Sequence, residues 1–525
     1  MGPWSTFRTF MISVGTLPSV RSAGNAARSA GMAAVGVWLL FAIVLIRTAW
    51  VSDDAYLTFR TIDNFVHGYG LRWNVAERVQ VYTHPLWLTI MTVGYALTRD
   101  AYFTSIGISI AITLAAVWLL LWRTEPAAAA PWVAALLMSR AFVDYSTSGL
   151  ENALTHLLVL LFVTAQLSDS RNPMRLGIIG CLLALNRLDT LLIVVPTLAM
   201  LSWGRSRGRH YRELAVFFIP LAAWELFSIV YYGFPFPNTA YAKLNTGIRE
   251  RELLYQGLLY IVDSARRDPV TLPVIALGIA VAIKRPLRSG GVIGVGMLTY
   301  VAYVIWIGGD FMSGRMLSAL LMAAVGILAS TDVFGSVIGS WSATVAIVLL
   351  GLSAPHSTLA DLREVPDAGA ANGIADERLF YVTTNALVNV SREVAWPSNP
   401  SAEAGRRARQ EGKQVTTYCC NGMLGYFGGP DLHIVDIMGL GDPLLVRLPA
   451  IKPWRIGHFQ RLVPDGYIAS IQSGTNQILD PALAAYYDRL MVITRGPIWR
   501  GARFKAILKM NLGAYDDLLA RGREP

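Results

Sequence analysis

Apolar runs near bilayer-spanning length recur through the first two thirds of the chain, and they constrain its fold more than any other feature. They fall at about 32–50, 102–122, 127–143, 152–167, 176–186, 190–203, 214–232, 269–284, 290–307, 316–331 and 333–353. A helix needs roughly 20 residues to cross a hydrocarbon core, and inside that core each backbone polar group must find its partner within the segment. Charged residues are 15% of the chain and hydrophobic ones 54%, whereas a soluble domain carries roughly a quarter charged residues. The expectation is a polytopic α-helical membrane protein with about 11 transmembrane helices.

The net charge of +10 is then a matter of topology, not a nucleic-acid footprint, because much of it lies in short loops. The segment 1–30 carries Arg8, Arg21 and Arg28 without an acid and reads as a cytoplasmic tail. Asp169–Arg175, Arg205–Arg212 and Lys284–Arg288 fall on the same side by the positive-inside rule. This parity requires the short run 85–98, opened by His84-Pro85, to be a juxtamembrane or re-entrant piece. Three regions result: the tail 1–30, a membrane part 31–354, and a region 355–525 on the far, periplasmic side. That last region is rich in Pro, Gly and charge, with β-like runs at Val415–Tyr418 and Leu432–Val435 and helical runs near 481–491 and 502–512; it reads as a small α/β domain. Cys181, Cys419 and Cys420 form neither a disulfide framework nor a metal-type spacing.

Directly after the first run comes Ser52-Asp53-Asp54-Ala55-Tyr56. Residues 55–67 then read as an amphipathic helix, with Tyr56, Phe59, Ile62 and Val66 on the apolar side, Arg60, Asn64 and His67 on the polar side, and Gly68 as the stop. Ser52 or Asp53 is the expected N-cap, and an acid in the first turn suits the helix dipole. Other loops on the same side hold Asp144 and Glu151, the submerged turn Asn186-Arg187-Leu188-Asp189, the stretch 233–244 with Asn238, Tyr241 and Lys243, and Gly308–Arg315 with Asp310. Acids and cations thus accumulate at one face. A transporter would place them near the midplane on repeated, broken helices. A lipid-phosphate substrate explains both signs: cations stabilise the phosphate as it leaves, and a carboxylate takes a proton from an attacking hydroxyl.

At Asp53-Asp54 the chain resembles the GT-C superfamily of integral-membrane glycosyltransferases, which use polyprenyl-phosphate sugars and carry an acidic motif in the first external loop. The stretches Asp-Asp-Ala-Tyr-Leu-Thr-Phe-Arg, Gly68–Asn74 and Tyr82–Trp87, with Thr147–Glu151, Pro237–Lys243, Gly308–Met312, Gly422–Phe427 and Gly439–Leu445, are similar to the branch of arabinosyl- and arabinofuranosyltransferases acting on mycobacterial cell walls and pseudomonad pilin. The resemblance implies a GT-C fold with juxtamembrane helices, in the inner membrane of a bacterium and working on the periplasmic side. It implies transfer of D-arabinofuranose from a polyprenyl-phosphate donor to a glycan or protein hydroxyl. Asp53 and Asp54 would be the catalytic pair, one base and one orienter, with the order left open. Arg187, Lys243, Arg60 and Arg315 would hold the donor phosphate, and His84, Glu151, Asn238, Tyr241 and Asp310 the sugar or acceptor. Structural roles stand beside these: Arg187 paired with Asp189, Asp310 with Arg315, Arg60 snorkelling to headgroups, and His84 a plain hydrogen-bonder. No metal site is read from the spacing, although an acidic pair suits a divalent cation. The alternatives are another lipid-linked sugar such as mannose, a lipid-phosphate flippase, and a non-catalytic assembly subunit.

Overall fold

The computed structural model describes residues 24–168, 172–201, 215–244, 246–286, 290–360, 372–419 and 421–521. The expectations for residues 1–23 and for Arg205–Arg212, Arg288 and Cys420 lie outside these. The described chain is mainly helical. Ala101–Arg123 is the one described helix long and apolar enough to cross a bilayer unaided, and Pro126–Met138 with Arg140–Ser146 forms a second candidate bent by 71°. The other apolar helices run 10–17 residues, so helix length by itself carries one or two crossings, and the eleven expected crossings rest on the pattern of runs.

Small residues let these helices approach closely, as they do where apolar surroundings supply no hydrophobic drive between helices. A Cβ on Gly278 would lie 2.5 Å from that of Ala324, and one on Gly296 would lie 2.6 Å from the Ile193 carbonyl oxygen. These contacts join Thr271–Lys284 to Ser318–Ala329 and Gly291–Trp306 to Leu191–Leu201.

The acidic loop opens the helix Asp53–Val66. Ser52 is its N-cap, with Oγ accepting from the Ala55 N–H at 3.3 Å. Tyr56, Phe59 and Ile62 are buried as the pattern requires, yet Arg60 and Asn64 of the polar stripe are buried too. The cause is the region after residue 372, which covers this helix. In that region two parallel strands, Val415–Tyr418 and His433–Asp436, flank the helix Asn421–Gly428. Further helices follow at Pro481–Thr494 and Gly501–Asn511. Among the described residues this pair is the one sheet, and helices surround it. Leu379, Met423, Ile434 and Ile456 share one apolar core with Phe41, Trp87 and Leu320.

Gly422 makes the junction close. A Cβ there would lie 1.8 Å from the Asp53 carbonyl oxygen. Gly422→Ala is therefore expected to push the two helices apart and to cost about 1–3 kcal/mol, as overpacking does. A lowered thermal denaturation temperature of the purified full chain checks this.

Candidate active site

Asp53 and Asp54 are neighbours with different surroundings. The Asp53 side chain turns toward the start of the Asn421–Gly428 helix, where Oδ2 accepts from the Gly422 N–H at 2.9 Å and Oδ1 from the Met423 N–H at 2.7 Å. It clasps the two halves of the chain together. Asp54 is only half-buried and lines a cavity of about 380 Å3. Burial raises its pKa, while the positive charges of Arg315 and Lys243 pull the other way.

Burial also pushes the Asp53 carboxyl up to about 6, against the pull of its two N–H donors. Its folded pKa then stands above the unfolded value near 4. The folded state keeps a proton that the unfolded chain releases, so stability falls as pH rises from about 4 through about 6. Asp436, also pushed to about 6 by burial, contributes with the same sign. Asp53→Asn is expected to flatten the pH dependence of the denaturation temperature over that interval, by on the order of 1–3 kcal/mol, with the Asp436 part remaining.

Opposite Asp54 the cavity carries Lys243, Arg315, Glu377, Arg455 and His458. A second cavity of about 460 Å3 adjoins it, and Thr83, Thr239, Lys243 and Arg315 line both. Its wall holds Arg187, Asp189, Glu151 and Asp310, and is otherwise largely apolar, with Leu188, Leu192, Trp224 and Tyr303 among its residues.

Glu151 is the hub between the cavities. It is 1% exposed, with Oε1 3.2 Å from Arg315 Nη2 and 3.8 Å from Arg187 Nε, and Oε2 3.3 Å from His84 Nδ1. Burial pushes its pKa up, but Arg315, His84 and Arg187 together outweigh burial and hold it at about 2. His84 is itself pulled below its ordinary value, first by burial, and its Nε2 lies 2.9 Å from Thr58 Oγ1. Arg315 reaches Asp310 at 3.5 Å, so the expected Asp310–Arg315 pair is present inside a larger network.

Arg187 shows both readings at once. It is clamped by Asp189 (Nε–Oδ1 3.1 Å, Nη2–Oδ2 2.6 Å) and by the Tyr300 hydroxyl at 3.1 Å, while its Nη1 is buried without a hydrogen-bond partner. Lys243 is exposed at the shared rim.

Three expected site residues lie elsewhere. Arg60 is 1% exposed; its Nη2 donates to the carbonyls of Leu432 at 2.5 Å and Gly429 at 3.3 Å, and its guanidinium stacks 4.5 Å from the centre of the Trp73 ring. It neither snorkels nor faces a phosphate, because the region after residue 372 closes over it. Asn238 donates to the carbonyls of Gly439, Leu440 and Asp442. Tyr241 packs edge-on against Phe234 and Phe236. Neither lines the two cavities. Conversely Glu377, Arg455 and His458 escape a reading by local pattern, since they sit in loops or a helix start of a region with no repeating signature. Among the described residues no group of three or more His, Cys, Asp or Glu is arranged to hold a metal ion.

Comparison with known proteins adds the chemistry. A terminal β-(1→2)-arabinofuranosyltransferase of Mycobacterium tuberculosis is 26% identical over 83% of this chain and 86% of its own length. The chain resembles these enzymes over most of its length. The protein of the same name from Corynebacterium glutamicum is 26% identical over 78% of this chain and 72% of its own. No family model and no solved structure matches. The resemblance supports glycosyltransferase activity.

Proposed function

We propose that the chain is a membrane glycosyltransferase that moves D-arabinofuranose from a polyprenyl-phosphate donor to a hydroxyl of a cell-envelope glycan or protein on the periplasmic side. The observation that carries this reading is the pair of adjoining cavities, one polar with Asp54, one largely apolar, sharing a rim of Lys243 and Arg315.

In this reading the donor's lipid chain lies along Leu188, Leu192 and Trp224, and its phosphate sits at the rim. The acceptor enters the polar cavity. Asp54 accepts the proton of the acceptor hydroxyl as its oxygen bonds to the anomeric carbon. The bond from that carbon to the phosphate oxygen breaks, and the departing phosphate takes up the electron pair. Lys243 and Arg315 face the charge that develops on it, in a partly dewatered site where such charges count for more than in water. Glu151 holds Arg315 and Arg187 in place, and Asp53 ties its helix to the Asn421–Gly428 helix, a structural role. This single displacement is the route of an inverting enzyme; a product that keeps the donor's anomeric configuration would assign Asp54 a different role.

The test uses the purified full chain in lipid nanodiscs with polyprenyl-phospho-D-arabinofuranose and an arabinofuranosyl trisaccharide. The expected result is a trisaccharide heavier by one pentose. No product with this donor, but product with a polyprenyl-phospho-mannose, would reassign the sugar and keep the reaction class; no product with either would overturn the proposal.

A further inference from the structure

One polar group in the first cavity has no work assigned to it. Glu377 opens the helix Glu377–Asn385 and lines the cavity with Asp54. It is 8% exposed, and no described side chain or backbone group makes a hydrogen bond or ion pair with its carboxyl. Buried carboxyls nearly always have partners, because an unsatisfied one forfeits its hydration. A side chain more than nine-tenths buried, without a protein partner and with its carboxyl open to a cavity is placed to meet a ligand.

The neighbouring residues show that this placement is built and held. Asp376, one residue earlier, caps the same helix through the Leu379 N–H at 3.1 Å and is gripped by Arg140 at 2.7 Å. Arg378, one residue later, reaches Asp144 at 3.2 Å. Two of three consecutive charged side chains are thus anchored in an ionic cluster behind the cavity, and the backbone they fix turns the third toward Asp54. The charged groups near enough to act on Glu377 are the acids Asp54, Asp310 and Asp53 and the cation Arg455. Phe380 and Tyr381 from the same helix, with Phe311, supply apolar faces on the cavity wall. Carboxyl groups beside aromatic rings are a fitting surface for a sugar, which offers hydroxyls at its edge and C–H bonds on its face.

We propose that Glu377 binds the acceptor sugar, its carboxyl exchanging hydrogen bonds with acceptor hydroxyls across the cavity from Asp54. This rests on the transferase reading above and adds the acceptor's seat to it. Burial, and next the nearby Asp54 charge, drive the Glu377 carboxyl well above the usual range. That direction favours the protonated acid, which both donates and accepts, as a hydroxyl partner needs.

The experiment compares the wild-type full chain with Glu377→Leu and Glu377→Gln in nanodiscs, using polyprenyl-phospho-D-arabinofuranose and the trisaccharide, and follows both transfer and donor hydrolysis by water. Glu377→Leu is expected to raise the acceptor KM at least tenfold, to leave donor hydrolysis within twofold, and to leave the denaturation temperature unchanged or higher, because a buried unpartnered acid has been removed. Glu377→Gln, neutral and able to donate and accept, is expected to keep the KM within threefold. An acceptor KM within twofold in Glu377→Leu, a parallel fall in hydrolysis, or a Gln variant as impaired as the Leu one would each overturn the proposal. If the wild type neither transfers nor hydrolyses, the transferase reading has failed by itself. Saturation-transfer NMR of the trisaccharide then decides the rest: binding lost in Glu377→Leu sustains the acceptor seat, and equal or absent binding ends it.

Discussion

Asp54→Asn is expected to lower sugar transfer by about 10²–10⁴-fold, the usual worth of a positioned general base, while donor binding and thermal stability stay close to wild type. The reasoning is geometric. The Asp54 carboxyl faces the polar cavity and takes no hydrogen bond from the backbone, so an isosteric amide costs the fold nothing that the carboxylate supplied. It removes only the ability to accept a proton. The neighbouring substitution should behave in the opposite way. Asp53→Ala strips two acceptors from the N–H groups of Gly422 and Met423, and each buried donor left alone costs about 1–3 kcal/mol. That variant is expected to melt at lower temperature, and to lose transfer only to the extent that it loses folded protein. Transfer assays normalised to folded fraction, with denaturation temperatures, separate the two. The same pair of measurements tests the flippase alternative, since a flippase has no proton to remove and would tolerate Asp54→Asn. Equal losses of rate in both variants at equal stability would show that the acidic pair acts as one unit and sink the division of labour.

The second large effect is expected at Glu151. Glu151→Gln keeps the size and the hydrogen-bonding capacity of the side chain but leaves Arg315 and Arg187 facing each other without the anion between them. Removing one partner from a buried ionic group costs about 3–5 kcal/mol, because the remaining charges stay desolvated. Arg187 retains Asp189 and Arg315 retains Asp310, so the lower end of that range is expected. The variant should melt earlier, and its melting should depend on added phosphate: an anion bound at the cavity rim would replace part of the missing charge and raise the denaturation temperature by mass action. Equal melting of wild type and variant would show that the two arginines are neutralised without Glu151.

How the chain divides between local and distant information is clearest at the acidic helix. Ser52 as N-cap, the buried faces of Tyr56, Phe59 and Ile62, and the end near Gly68 were legible from spacing, because capping and helical periodicity are set by residues within one or two turns. The strand pair and the helices at Pro481–Thr494 and Gly501–Asn511 were legible for the same reason. The accumulation of Glu151, Arg187, Lys243 and Arg315 at one face followed from loop order in a chain of apolar runs.

What those residues face did not follow. Arg60 has the spacing of an exposed polar residue, and it is buried against carbonyls 369 and 372 positions away. Asp53 and Asp54 are indistinguishable as letters, yet one is held by N–H groups some 370 residues on and the other opens into a cavity. Glu377 carries no pattern at all. The sequence by itself determined the helices, their caps and the loops in which charge collects, since these depend on near neighbours. Only the tertiary structure decided which charged groups are satisfied and which are left for a substrate, because burial and partners come from segments that meet only when the whole chain has folded.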